Sequence, residues 1–293
     1  MNSKTKPRQA PATVWREAGG LRLLTWPALA ASGAEAVVTA RSGGVSAGPY
    51  ESLNLSLSVG DDPANVLENR RRLAAGLGAS PADFVFAGQV HGPGVRIVGE
   101  ADAGRGAFSL DDVIADTDAL VTASPRVVLA ILTADCVPIV LHDPVAGVLA
   151  CVHAGWRGTA AGVTAAALAA MRSLGSRPED VTVGLGPAIA GSRYQVGPDV
   201  HQAITQAFGP AAHTFMPPDQ VPDRWRLDLW AANRLALRQA GVPAPQIHVT
   251  DIPTGPPKPG PANPGSFFSD RSARPCGRLA LIARLRNATD VTP

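Results

Sequence analysis

Arg126–Thr159, RVVLAILTADCVPIVLHDPVAGVLACVHAGWRGT, is the most informative stretch of the chain, rich in β-branched and apolar residues. It divides into three strand-like runs. The second, Val137 to His142, and the third, Gly147 to His153, flank Asp143-Pro144-Val145-Ala146, residues that favour chain reversal. A symmetric reversal sets His142 opposite Gly147, and the same register then sets Cys136 opposite His153. Directly opposed residues on antiparallel strands share a face, with Cβ atoms about 4.5–5.5 Å apart. A thiol and an imidazole so placed can share one metal ion. An odd-length turn would break that register. Beyond His153, a tight Ala-Gly-Trp-Arg-Gly link leads into TAAGVTAAALAAMRSLG, whose alanines and spaced Val163, Leu168 and Met171 predict a helix ending at Gly175.

Working outward, the first element assigned is a helix from Asp62, DPANVLENRRRLAAGLG, with Pro63 at its start and a glycine stop at Gly76 or Gly78. Short strands are expected at Phe84 to Val90 and Val95 to Val98, around the turn His91-Gly92-Pro93-Gly94, followed by a Gly- and Asp-rich loop through Asp118. Downstream come a strand at Val181 to Leu185, helices at Asp199 to Phe208 and Asp228 to Ala240, and strands at Gln246 to Thr250 and Arg278 to Ala283. Hairpins mixed with helices point to an α/β (α+β) fold: a mixed β-sheet sandwich flanked by helices. A single domain is expected over residues 13–293, after a loose polar tail at 1–12. Residues 253–265 carry six prolines and three glycines and are expected to form a long irregular loop.

The 293 residues are 45% hydrophobic, ample for a packed core. Charged residues make up 17%, with 26 Lys+Arg against 24 Asp+Glu. That balance provides no polyanion-binding field, so nucleic acid is not an expected partner. Three cysteines, an odd number, argue against a disulfide framework and for a reducing compartment. The run Arg126 to Cys151 is interrupted by Asp135, His142, Asp143 and Pro144, so no membrane span is expected. The first residues lack the apolar core of a signal peptide, and a cytoplasmic location is expected.

The candidate metal ligands are three Cys and six His, without a CxxC or HExxH pair. Structural zinc sites use four protein ligands, whereas catalytic sites use three and leave one position open. His91, Cys136 and His153 each end a predicted strand beside a turn and suit such a His2Cys set. On spacing alone they fit better a surface histidine, an inert buried cysteine and a turn histidine. Cys151 and His142 fall inside apolar strand runs and read as core, and Cys276 as incidental. Arg157 offers a planar fork for phosphate beside the amides that open the following helix, or is a solvated helix-start residue. Asp135 adjoins Cys136 and could support the site or carry a proton, although strand alternation points it to the opposite face. The charges of Asn69-Arg70-Arg71-Arg72 are mostly expected on a solvated helix face.

AGQVHG (Ala87 to Gly92), TADCVPI (Thr133 to Ile139) and HAGWRGT (His153 to Thr159) resemble, in that order, the three signature blocks of the bacterial laccase-domain family. That family was long labelled multicopper polyphenol oxidase and is now described as purine nucleoside phosphorylases. GVSAGPYESLNL, VGDDPANVLENRRRL, GPAIA and FFSDRSARPCGRLA extend the resemblance over about Val37 to Leu281. It implies zinc held by His91, Cys136 and His153, with copper less favoured. Cys136, Arg157 and Asp135 are the catalytic candidates; the resemblance implies Ser46, Asn54, Asn69 and Arg72 near the substrate, where Arg157 is expected to bind phosphate. Three departures bear on substrate preference. Gln195 stands where a Glu is usual, Val249-Thr250-Asp251 where a Cys is common, and FFSDRS where FFSYRR is usual.

The expected activity is phosphorolysis of adenosine, inosine or methylthioadenosine to free base and ribose-1-phosphate, with adenosine deamination as a side activity. Zinc lowers the pKa of bound water and polarises oxygens, so water or phosphate is available as nucleophile. Three alternatives remain open. A copper phenol oxidase needs a multinuclear, imidazole-rich cluster that the remaining scattered histidines do not suggest. A metal-free Cys-His hydrolase, which could edit cell-wall precursors, would use Cys136 as nucleophile and His153 as base. A non-enzymatic binding protein would use the metal as a staple. The expected partners are purine nucleosides and phosphate, with the chain a monomer or a homodimer.

Overall fold

A computed structural model describes residues 11–256 and 266–286. The tail expected at 1–12 therefore lies outside the described residues up to residue 10, and the Pro-rich loop at 253–265 lies outside them from residue 257. In chain order the strands are β1 (Val14–Ala18), β2 (Leu21–Thr25), β3 (Ala34–Thr39), β4 (Phe84–Phe86), β5 (Val95–Ile97), β6 (Ala119–Thr122) and β7 (Val128–Thr133). They continue with β8 (Val137–Asp143), β9 (Val148–Ala154), β10 (Thr182–Leu185), β11 (Gln195–Val196), β12 (Trp225–Arg226), β13 (Ile247–Val249) and β14 (Leu279–Leu285). The helices are α1 (Pro27–Ser32), α2 (Pro63–Gly76), α3 (Trp156–Ala160), α4 (Val163–Ser173), α5 (Pro198–Phe208) and α6 (Leu229–Gln239).

Two six-stranded mixed sheets, ordered β1-β2-β3-β14-β7-β4 and β13-β10-β8-β9-β6-β5, pack face to face, and β11 and β12 form a small ribbon. Leu24, Val38, Leu129, Ile131 and Leu281 of the first sheet meet Leu120, Val140, Leu149 and Cys151 of the second in the core between them. The alternate residues of β8 and β9, Ile139, Leu141, Ala150 and Val152, face outward and are covered by α4, α5 and α6. Leu73 and Ala74 of α2 cover the far face of the first sheet. The expected sandwich flanked by helices, in a single domain, is the fold observed.

Several local expectations are corrected. In the β8–β9 hairpin Pro138 opposes His153 and His142 opposes Leu149, two residues away from the symmetric register. Pro144 to Gly147 make the reversal: Gly147 adopts a left-handed φ of 66°, and Asp143 Oδ1 accepts the amides of Val145 and Ala146. An even offset leaves every side chain on its expected face. Cys136 thus keeps the side of His153 without being its partner. The helix expected after His153 is two helices, because Gly162 at φ 80° ends α3 and caps α4. The strand expected to reach Val90 stops at Phe86. β1, β2, α1, β3 and β6 were not anticipated.

Candidate metal centre and its cleft

The chain crosses from the first sheet to the second twice at one end of the sandwich, through residues 87–94 between β4 and β5 and residues 134–136 between β7 and β8. His91 lies on the first crossing and Cys136 on the second, and His153 is the penultimate residue of β9. Both crossings need unusual backbone: His91 has φ 61° and Asp135 φ 87°. Non-glycine residues seldom adopt such angles, and a surrounding structure must hold them there. The sequence sets Cys136 on the side of His153; that His91 joins them from a separate crossing is visible only in the fold.

The ligand atoms of His91, Cys136 and His153 lie within 4.8 Å of one another. Among the described residues this is the one group of three or more His, Cys, Asp or Glu side chains so arranged. The imidazole planes of His91 and His153 stand edge to face, with centroids 4.7 Å apart. His91 is exposed, Cys136 partly covered and His153 buried. Gly155 completes the packing: a Cβ there would lie 2.8 Å from Cys136 Sγ and 3.0 Å from a carbon of His91. Burial raises the Cys136 pKa, but the two imidazoles outweigh it and hold the thiol at about 6. His153 moves the other way: burial lowers its pKa, but Cys136 and Asp118 raise it to about 9.

Asp118, absent from the candidates above, is fully buried beneath the cluster. It lies opposite His153 across the β6–β9 pair, and Oδ1 lies 2.7 Å from His153 Nδ1. The same carboxylate accepts the amides of Val90, His91 and Gly92 at 3.1, 3.0 and 2.8 Å. Burial raises its pKa, but the bonds from His153 and the amides of Gly92 and Val90 prevail and hold it below the usual carboxylate range. Its only sequence signal was a carboxylate heading a short apolar run, Ala119 to Val121.

Two imidazoles and a thiol are suitable donors for zinc, and three protein ligands leave one position open, as catalytic centres require. The cluster opens on a cleft of about 760 Å³, within the size range of small-molecule sites. Trp156, Arg157, Tyr194, Asp270 and Arg271 are among its lining residues. The Arg157 guanidinium sits 4.4 Å from the Trp156 ring and that of Arg271 4.9 Å from Tyr194. Arg157 lines the same cleft as the cluster, on a helix of only five residues, too short to supply an extended helix dipole. Asp135 lines the cleft too, with Oδ1 accepting Thr254 Oγ1 at 2.5 Å and Oδ2 accepting the Arg271 amide at 2.7 Å.

Ser46, Asn54, Asn69 and Arg72 are not among the cleft-lining residues. Asn69 Nδ2 donates to Ser46 Oγ, Ser52 O and Asn54 O, and its Oδ1 accepts the Val45 amide. Ser46 Oγ and Asn54 Nδ2 both donate to Asp61. Arg72 bonds Glu68 and Gly43 O. The cleft-lining residue of that helix is Arg70, which is buried where a solvated face was expected. It donates to Leu55 O, Gly106 O and Ala107 O and lies 3.8 Å from the Phe86 ring centre. Asp270 pairs with Arg274 and Arg278 at the cleft wall, and Gln195 gives its carbonyl to Arg271.

A two-sheet sandwich with an open three-ligand cluster on a cationic cleft defines a class of small-molecule site. The chain belongs to the family described as multi-copper polyphenol oxidoreductase laccase, whose model matches residues 35–286. It is 45% identical over 225 residues to the purine nucleoside phosphorylase of Deinococcus radiodurans, covering 77% of this chain and 81% of the relative. Purine nucleoside phosphorylase ORF3 of Streptomyces griseus is 41% identical over 244 residues, 83% of this chain and 90% of that protein. The crystal structure of YlmD from Geobacillus stearothermophilus superposes with a TM-score of 0.85 at 35% identity, covering 94% of this chain and all of that one. Among the described residues no helix is long and apolar enough to cross a membrane.

Proposed function

We propose that the protein is a zinc-dependent purine nucleoside phosphorylase, cleaving adenosine, inosine or methylthioadenosine with phosphate to free base and ribose-1-phosphate. The observation that carries this is the convergence of His91, Cys136 and His153 at the wall of a cleft that also holds Arg157. The phosphorylase name borne by relatives in the same family supports it.

His91, Cys136 and His153 hold the zinc, which supplies Lewis acidity when bound. Arg157, braced on Trp156, binds phosphate through its planar fork. Asp135 acts through another residue: its carboxylate holds the amide of Arg271, a second cation of the cleft. Tyr194, whose pKa burial raises, remains a neutral phenol able to donate a hydrogen bond. Ser46, Asn54, Asn69 and Arg72 brace the neighbouring loops rather than meeting the substrate. Adenosine deamination at the same cleft is a side activity with water as the nucleophile. Three unpaired cysteines suit a reducing cytoplasm.

The test is release of hypoxanthine and adenine from inosine and adenosine, with and without phosphate, on protein of measured metal content. Phosphate-dependent release that chelation abolishes and zinc restores is expected. Zinc-loaded protein that leaves every nucleoside intact would refute the proposal, and ammonia release from adenosine without phosphate isolates the deaminase activity.

A further inference from the structure

We infer that Asp118 is the positioning residue that assembles this metal site, holding two of its three ligands with one carboxylate; the inference rests on the His91, Cys136 and His153 metal reading. Three successive amides, those of Val90, His91 and Gly92, converge on the carboxylate. Successive backbone N–H groups turned inward form a concavity that binds anions. Here the anion is built into the fold. The left-handed φ of 61° at His91 belongs to this turn, and a strained residue of this kind persists only where its surroundings over-determine it. Three charge-assisted bonds to a fully buried carboxylate provide that constraint, so the aim of the His91 side chain depends on Asp118.

Its grip on His153 is independent of that turn. Asp118 Oδ1 accepts the Nδ1 proton of His153 at 2.7 Å, and the His153 amide donates to Asp118 O at 2.7 Å. An imidazole protonated on Nδ1 keeps its lone pair on Nε2, so one tautomer and one ring orientation are selected. A single carboxylate therefore sets the backbone carrying one histidine and the tautomer of the other. Cys136, on the second crossing, is the ligand it leaves alone. Metal affinity should therefore respond to Asp118 more than to any other buried carboxylate.

Asp143 supplies the control. It is equally buried, accepts the amides of Val145, Ala146 and Arg177, and lies at the opposite end of β8 from the cluster. Cobalt(II) is the probe, because its visible spectrum reports thiolate bonding and coordination geometry. Wild type, Asp118→Asn and Asp143→Asn are titrated with cobalt, and their thermal unfolding is measured in parallel. Asp118→Asn is expected to weaken cobalt binding by about 10- to 100-fold and to alter the ligand-field bands while keeping the thiolate band. Asp143→Asn is expected to unfold at lower temperature with the wild-type cobalt spectrum and affinity. Wild-type binding by Asp118→Asn, or equal losses in both variants, overturns the inference alone. Failure of wild type to bind cobalt overturns the metal reading as well. Should Asp118→Asn not fold, nitrogen NMR of wild type decides: His153 protonated at Nδ1 with metal on Nε2 supports the inference, and metal on Nδ1 refutes it.

Discussion

Two of the buried polar clusters among the described residues, one around Asn69 and one around Asp118, differ in where their polar atoms point. Around Asn69, the side chains of Ser46, Asn54 and Asp61 and the carbonyls of Ser52 and Asn54 answer one another within the loop. Around Asp118, one side of the network is closed in the same way. On its other side, His91, Cys136 and His153 turn their remaining donor atoms toward a common point beside the cleft. A self-satisfied cluster fixes backbone; a cluster satisfied on one side and convergent on the other can bind something. The resemblance names residues of both, from different sequence blocks, and their hydrogen bonding separates them.

The contrast can be broken first at Cys136. Cys136→Ala is expected to lower phosphorolysis by more than about 100-fold, the scale of losing a group that stabilises the transition state, and to reduce bound metal with little loss of folding stability. A drop in stability without loss of metal would make the cluster a scaffold like the other. Asn69→Ala should do the reverse. It leaves buried partners such as the Val45 amide unsatisfied, so denaturant unfolding should show a loss of about 1–3 kcal/mol, with metal content and the KM for nucleoside unchanged. A raised KM at unchanged stability would return Asn69 to the substrate.

A subtler change tests the packing of the metal centre. Gly155 has an ordinary φ of −76°, so Gly155→Ala adds no backbone strain. Its new Cβ presses on Cys136 and His91, and metal affinity should fall severalfold in a competition titration with a chelator. Unchanged affinity would show that the cluster can yield. The smallest effect concerns a histidine outside both networks. Burial holds His142 at a pKa of about 4, below the ordinary histidine value of 6.5, while its Nδ1 meets Ser32 Oγ at 2.9 Å. The unfolded chain therefore binds this proton more readily than the folded one. The contribution is fully present above about pH 6.5 and is lost as pH falls towards 4. His142→Gln should flatten the pH dependence of the unfolding midpoint in that window; an unchanged profile would remove His142 as its source.

The hairpin of β8 and β9, the helices α2, α5 and α6, and the three metal-ligand candidates were legible in the sequence because apolar periodicity and turn residues act locally. The register of that hairpin was missed by two residues because Asp143 caps its own turn from inside the strand. The parity survived, and with it the shared side of Cys136 and His153. β1 to β3 were passed over, although alternating Val37, Val38 and Leu23, Leu24 now face two different cores. Asp118, Tyr194 and Arg271 were invisible as site residues: each comes from a segment distant in sequence from the residues it meets, and no spacing announces those contacts. Arg70 was lost in a run of charges for a similar reason, since only tertiary structure reveals the carbonyls that receive its guanidinium.

The central claim is that one metal held by His91, Cys136 and His153 drives phosphorolysis, and a zinc titration of metal-free protein tests it most directly. With inosine and phosphate present, the rate of hypoxanthine release should rise with added zinc and break at about one equivalent per chain, with Cys136→Ala showing no rise. Full activity before any zinc is added, or zinc bound to one equivalent with no release, would contradict the account.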